Sequence, residues 1–272
     1  MSKISVNKSR ITIHDVMKAK ANSEKLTMLT CYDAAFGRIL NQVDIDMILV
    51  GDSLGNVMLG YDNTLSVTME DILHHCRAVT RVMHKALICA DMPFLSYNLS
   101  SEQALENAGK LISQGGAQAV KLEGGTAILP QVKKITEAGI PVMGHLGLTP
   151  QSVHMLGGYK VQGKSIEQAQ ILIEDAKRLE DHGVFCVVLE MVPRVLAAEV
   201  SRSLRIPTIG IGAGPECDGQ VLVLHDLLGF DTEFNPKFLK KYADMNQQIR
   251  ESVQNYCSDV KLNKFPDTTH SF

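Results

Sequence analysis

Eight short runs of β-branched or apolar residues, most of them followed by a turn and then a stretch with helical periodicity, leave this chain few folds to choose from. The runs are Leu26–Thr30, Met47–Val50, Ala86–Ala90, Ala119–Leu122, Pro141–His145, Val184–Leu189, Pro207–Ile211 and Gln220–Leu224. They are nearly continuous in hydrophobicity, as in MILV, ALICA and VFCVVLE, where a strand with one wet face would alternate. Burial on both faces is what a parallel sheet imposes. Between the runs, Thr68 with Asp71 reads as an N-cap, and Ile72, Leu73, Cys76, Val79, Val82 and Met83 then share one helical face. Ala104, Leu105, Ala108, Leu111 and Ile112 do the same before Gly115-Gly116, the Ile128–Ala138 helix stops at Gly139, and the long one after Ser165 stops at Gly183. Helix, glycine, strand is the repeated punctuation.

A length of 272 residues allows two domains, but the links are short and no Ser/Gly/Pro-rich linker, low-complexity segment or charge run marks a boundary. The expectation is therefore one α/β domain spanning 1–272, a (β/α)8 TIM barrel rather than a doubly wound open sheet. Thr12–Ala21 is expected as an N-terminal helix capping the lower end of the barrel. Phe234–Val253, with Phe238, Leu239, Tyr242, Met245 and Ile249, is expected as the last helix, and 255–272 as an irregular tail.

Composition excludes several partners. Charge is 27 Lys and Arg against 30 Asp and Glu, a net of −3, so there is no basic field to hold a nucleic acid or an anionic membrane. Aromatic content of 5% with no Trp argues against base-stacking platforms. The six cysteines form no C-x-x-C pair and no zinc-like spacing, which suits reduced thiols in a cytoplasmic protein. The N-terminal MSKISVNKSRITIHD lacks an apolar h-region, and no run reaches the roughly 18 apolar residues of a membrane span. The expectation is a chain neither exported nor membrane-inserted.

The informative acids stand at the C-terminal ends of predicted strands: Asp52 after MILVG, Asp91 after ALICA, Glu123 after AVKL, and Glu190 closing VFCVVLE. In a (β/α)8 barrel that rim is where active sites are built. One such acid alone reads as a helix cap or loop carboxylate; four at equivalent heights repel one another unless a cation sits among them. Asp52, Asp91 and Glu123 form an all-oxygen set suited to Mg2+, with no histidine or cysteine placed to favour zinc. Lys121 lies two residues before Glu123, so both side chains face into the barrel and the ammonium can balance an anionic substrate. Glu190 ends an apolar strand, where desolvation favours its protonated form and suits a general base; a fourth metal ligand or a salt-bridged acid is the other reading. His145, in GHLGLTPQ, is placed either to hydrogen-bond a substrate carbonyl or to pack in the rim. Gly210–Gly214 follows the seventh strand, as a phosphate loop or, more simply, a tight turn.

Taken in order, VGDSLGNVMLGYDNTLSVTMED, ADMPF, VKLEGG, GHLGLTPQ, LEMVP, IGIGAG and GQVLVLHDLLG resemble the ketopantoate hydroxymethyltransferase family from about Ile11 to Phe230. The resemblance implies a barrel of the phosphoenolpyruvate/pyruvate type, Mg2+ dependence, 5,10-methylenetetrahydrofolate as one-carbon donor to a small 2-oxo acid, and a homo-oligomer, typically a decamer. It implies metal ligation by Asp52, Asp91 and Glu123, oxo-acid binding by Ser53 and Lys121, and proton abstraction by Glu190. The chain departs from the pattern at Met191, at Arg194 and after Phe230. Two rivals stand beside it: a Mg2+-dependent lyase or mutase of the same superfamily acting on a 2-oxo acid without folate, and a non-catalytic oxo-acid-binding module, which leaves Glu190 without a task.

Overall fold

A computed structural model describes residues 10–272. Residues 1–9, part of the segment read above as lacking a leader, lie outside the described residues. By its internal contacts the chain, read from sequence as one domain, divides into two compact units, one ending at Leu222 and the other Val223–Phe272.

The first unit is a closed parallel barrel in sequential strand order. Its strands are β1 (Leu26–Thr30), β2 (Met47–Val50), β3 (Leu87–Asp91), β4 (Ala119–Glu123), β5 (Val142–Gly147), β6 (Cys186–Glu190), β7 (Thr208–Ile211) and β8 (Gly219–Leu222). The helices of this unit are α1 (Ile13–Ala21), α2 (Ala34–Leu40), α3 (Leu54–Val57), α4 (Met69–Thr80), α5 (Ser101–Ser113), α6 (Leu129–Glu137), α7 (Val153–Leu156), α8 (Ile166–Asp181) and α9 (Arg194–Ser203). All eight strands fall within two residues of the expected runs, because nothing but a doubly covered strand accommodates apolar residues on both faces. The capping signals also hold: Thr68 and Asp71 form a reciprocal capping box on α4, as do Ser165 and Gln168 on α8.

Residues alternating at i and i+2 line the barrel interior: Leu26 and Met28, Met47 and Leu49, Leu87 and Cys89, Ala119, Met143, Cys186 and Val188, Ile209 and Val221. Val16 and Ala19 of α1 join this cluster and close it from below, as expected of the capping helix. A charged residue pins α1 there. Lys20 Nζ donates to the Ser201 carbonyl at 2.6 Å and to Asp218 Oδ2 at 2.9 Å, while Asp218 Oδ2 also accepts from Thr208 N–H at 2.8 Å. Lys20→Met keeps the stem but loses both charge-assisted bonds, so stability should fall by about 1.5–3 kcal/mol, read as a lower urea midpoint. An unmoved midpoint would show that apolar packing alone holds α1.

The second unit corrects the sequence reading. No helix spans Phe234–Val253; after a short α10 (Leu224–Leu227) the chain turns until α11 (Met245–Lys261), capped by Asp244. Local side-chain bonds win over the apolar spacing: Asp231 Oδ1 accepts from the N–H groups of Glu233 at 2.8 Å and Phe234 at 3.2 Å, and Pro236 follows. Tyr242 and Met245 then donate their N–H groups back to Leu227 and Leu228 carbonyls rather than along a helix. The tail expected from 255 is helical as far as Lys261, and only beyond that irregular with one short turn at Thr268–His270.

Among the described residues no helix is long and apolar enough to cross a membrane. The six cysteines are free thiols, five buried and Cys257 exposed.

Candidate active site

The inward stripes of the strands change character as they rise. Leu87 and Cys89 lead to Asp91; Ala119 leads to Lys121 and Glu123; Met143 leads to His145; Cys186 and Val188 lead to Glu190. Strand register sets these groups side by side, Asp91 opposite Lys121 across β3 and β4, and Glu123 opposite His145 across β4 and β5. The charged cluster therefore sits on top of the apolar interior, at the C-terminal strand ends.

Its geometry is close and dry. Asp52, Asp91, Lys121, Glu123 and His145 are all buried. Lys121 Nζ lies 2.7 Å from Asp91 Oδ1 and 3.5 Å from Glu123 Oε1. The Asp52 backbone N–H donates to Asp91 Oδ2 at 3.0 Å, an approach that Gly51 permits because a Cβ there would lie 3.3 Å from the same oxygen. His145 Nδ1 lies 3.1 Å from both Glu123 Oε1 and Lys121 Nζ, and Nε2 lies 3.3 Å from Glu190 Oε2 at ion-pair distance, out of hydrogen-bond alignment. Burial and the neighbouring Lys121 ammonium work against the imidazolium, but the Glu123 and Glu190 carboxylates outweigh them and raise the His145 pKa to about 9. The histidine thus stands between Glu123 and Glu190.

Glu190 differs from the other acids. Its side chain keeps 18% of its surface, so it is reachable from the rim rather than desolvated as its apolar strand suggested. Two backbone features hold its turn. Gly147, at φ +92°, lets the end of β5 approach so closely that a Cβ would lie 2.2 Å from the Glu190 carbonyl, which accepts the Leu148 N–H at 2.8 Å. Met191 adopts φ +46°, sparsely populated for a non-glycine residue, and is tied through its N–H to the Ile211 carbonyl at 2.8 Å.

Ser53 stands at the N-cap position of α3 without capping it; its hydroxyl is 2.8 Å from the Tyr32 hydroxyl. Gly210 and Ile211 end β7 and the chain bends at Gly212 and Ala213, with the Gly214 carbonyl accepting from Gln220 Nε2 at 2.9 Å. Four residues here escaped the sequence reading: Tyr32, Tyr97, Gln151 and Tyr159. Gln151 ends the quoted GHLGLTPQ motif, and its buried amide touches Asp52 at 2.9 Å, so the motif itself was the available signal. The phenol of Tyr159 is raised by partial burial and then by the charges of Glu190, Asp52 and Glu123, which puts it within the field of the centre.

The charge balance decides what the centre can hold. Burial, then the charges of Asp91 and Glu123, push the Asp52 carboxyl well above the usual range, and burial pushes Asp91 up despite Lys121. Burial also favours the protonated form of Glu123, but Lys121 and His145 hold its carboxyl below the usual range. Four carboxylates, counting Glu190, face two cations, so negative charge is in excess. Among the described residues no three His, Cys, Asp or Glu side chains are already drawn into a metal cage; the Lys121 ammonium instead spans Asp91 and Glu123. The donor set nonetheless fits a hard divalent cation, being all oxygen and electrostatically undercompensated.

A closed parallel barrel with a carboxylate–lysine centre at its C-terminal rim defines an enzyme of the (β/α)8 class. Solved barrels share this fold: a phosphonopyruvate hydrolase complexed with oxalate and Mg2+ (TM-score 0.61, 10% identity, covering 96% of this chain and 93% of that one) and 2,3-dimethylmalate lyase, a PEP mutase/isocitrate lyase superfamily member (TM-score 0.57, 14% identity, 93% and 98%). A family model described as ketopantoate hydroxymethyltransferase matches residues 10–268. The 3-methyl-2-oxobutanoate hydroxymethyltransferase of Geobacter metallireducens is 55% identical over 261 residues, 96% of this chain and 98% of its own length. That of Dehalococcoides mccartyi is 56% identical over 263 residues, 97% and 94%. The chain belongs to the ketopantoate hydroxymethyltransferase family.

Proposed function

We propose that this protein transfers a hydroxymethyl group from 5,10-methylenetetrahydrofolate to C3 of 3-methyl-2-oxobutanoate, giving 2-dehydropantoate for pantothenate and coenzyme A synthesis. The observation that carries the reading is the Glu190 carboxylate, partly open at the rim and 3.3 Å from His145 Nε2, beside a buried oxygen-rich centre that contains Lys121. Asp52, Asp91 and Glu123 would hold Mg2+, which supplies Lewis-acid stabilisation of the charge that develops on the keto oxygen.

Each residue then has a task. Lys121 balances the substrate's negative charge, and the Ser53 hydroxyl, oriented by Tyr32, donates to the oxo acid. The imidazolium of His145 holds Glu190 in place from the side of Glu123. Glu190 takes the C3 proton, leaving the electron pair in the enolate. C3 then forms its bond to the one-carbon unit released from the folate with water, so the product carries the new hydroxymethyl group and tetrahydrofolate leaves.

The reading is tested by proton NMR of the two substrates with protein and Mg2+. It expects folate-dependent appearance of 2-dehydropantoate; cleavage of the oxo acid without folate would assign a lyase instead. Lys121→Met removes the ammonium and keeps the stem, so the apparent KM for the oxo acid should rise by about 1.5–3 kcal/mol, roughly 10–150-fold. An unchanged KM would refute the charge-balancing role. The reading includes cytoplasmic residence and a homo-oligomer, a decamer, supported by the exposed apolar side chains of Ile249, Val253 and Val260 along α11. Light scattering at the mass of a single chain would contradict the assembly.

A further inference from the structure

The carboxylate centre is organised around a residue that carries no charge. Gln151 is 6% exposed, in the loop between β5 and α7, and it reaches three separate strand ends. Its Nε2 donates to Asp52 Oδ2 at 2.9 Å and to the Met92 carbonyl at 3.0 Å, which uses both amide hydrogens. Its Oε1 accepts from the Tyr97 hydroxyl at 2.7 Å, and its backbone N–H donates to Glu123 Oε2 at 3.0 Å. Tyr97, 1% exposed, accepts in turn from the Glu123 N–H at 3.3 Å.

These contacts admit one amide orientation. Turned over, Oε1 would face the Met92 carbonyl, an acceptor with no proton to give, and Nε2 would face the Tyr97 hydroxyl. The buried carbonyl–carbonyl mismatch at Met92 costs more than the exchange at Tyr97 could return. The side chain is therefore locked from one side by a phenol and from the other by a carbonyl, and it presents a fixed N–H to Asp52. No other contact of Gln151 is needed to explain its burial.

We propose that Gln151 is a positioning residue for cation binding: its side-chain amide aims Asp52, its backbone N–H aims Glu123, and Tyr97 fixes the amide that does so. The inference rests on the reading of Asp52 and Glu123 as cation ligands. Hydrogen bonds to ligating carboxylates fix their orientation, and losing such bonds weakens metal affinity by about 10–100-fold. The amide is also the suitable group, because a carboxylate at this position would add charge to a centre already in excess of it.

The test is Mn2+ binding to the full chain, followed by the electron paramagnetic resonance signal of the free ion, with apo-protein melting measured alongside. Gln151→Met keeps the length and apolar volume without the side-chain bonds, and should raise the Mn2+ Kd by about 10–100-fold. Tyr97→Phe removes only the hydroxyl that orients the amide; its Kd should rise in the same direction by less. A lowered melting temperature with a native Mn2+ Kd would leave Gln151 a structural residue and overturn the proposal. Should Gln151→Met not fold, Tyr97→Phe decides by the same readout. If the native protein itself fails to bind Mn2+, the cation reading falls and this inference with it; native binding with unaltered variants removes this inference alone.

Discussion

Glu190→Gln should lower turnover by about 10²–10⁴-fold while the oxo acid and Mg2+ still bind. The amide has nearly the shape of the carboxylate and can keep its oxygen beside His145 Nε2, which now lies 3.3 Å from Glu190 Oε2. It cannot take a proton. The loss should therefore appear in kcat, with little change in the concentration of oxo acid that half-saturates the protein, because the interaction removed exists only in the transition state. The geometry makes this assignment specific. Asp52, Asp91 and Glu123 are buried and engaged with Lys121, Gln151 or one another, whereas Glu190 keeps 18% of its side-chain surface and alone faces the rim. A variant that turns over at the native rate would move the base to another group.

Exhaustive chelation should abolish product formation, and Mg2+ should restore it. The same experiment has a stability arm. Burial, and after it the charges of Asp91 and Glu123, hold the Asp52 carboxyl well above its ordinary range, and a divalent cation would offset both of those carboxylate charges. A divalent cation that binds the folded chain and not the unfolded one adds about 2.7 kcal/mol at a hundred times its Kd. Thermal melting should accordingly shift upward by several degrees when Mg2+ is added to the chelated protein, and the shift should be absent in Asp52→Ala or Glu123→Ala. Full activity after chelation, or melting that ignores Mg2+, would contradict the metal assignment.

The barrel was legible because its evidence is periodic. Leu87, Cys89 and Asp91, or Ala119, Lys121 and Glu123, can be placed on one inward face by counting in twos, and the change from apolar to charged marks the height of the rim. Glycine and capping residues bounded the helices for equally local reasons. The last helix was illegible because Phe238, Leu239, Tyr242, Met245 and Ile249 have helical spacing, yet Asp231 and Pro236 divert the backbone before that spacing can act. Gln151 and Tyr97 were missed for a different reason. They sit in loops without periodicity, and their partners, 99 residues away at Asp52 for Gln151 and 26 away at Glu123 for Tyr97, are brought to them only by barrel closure. His145 was placed at the rim from sequence, but its bridge between Glu123 and Glu190 depends on the register of β4, β5 and β6.

The central claim is that Glu190, beside a cation-holding carboxylate centre, removes the C3 proton of 3-methyl-2-oxobutanoate. Deuterium uptake at C3 from D2O, followed by proton NMR without any folate, isolates that step from the transfer that follows. The native protein with Mg2+ should exchange the C3 proton, the chelated protein should not, and Glu190→Gln with Mg2+ should exchange about 10²–10⁴-fold more slowly. Native-rate exchange in Glu190→Gln, or in the native protein stripped of metal, would contradict the account.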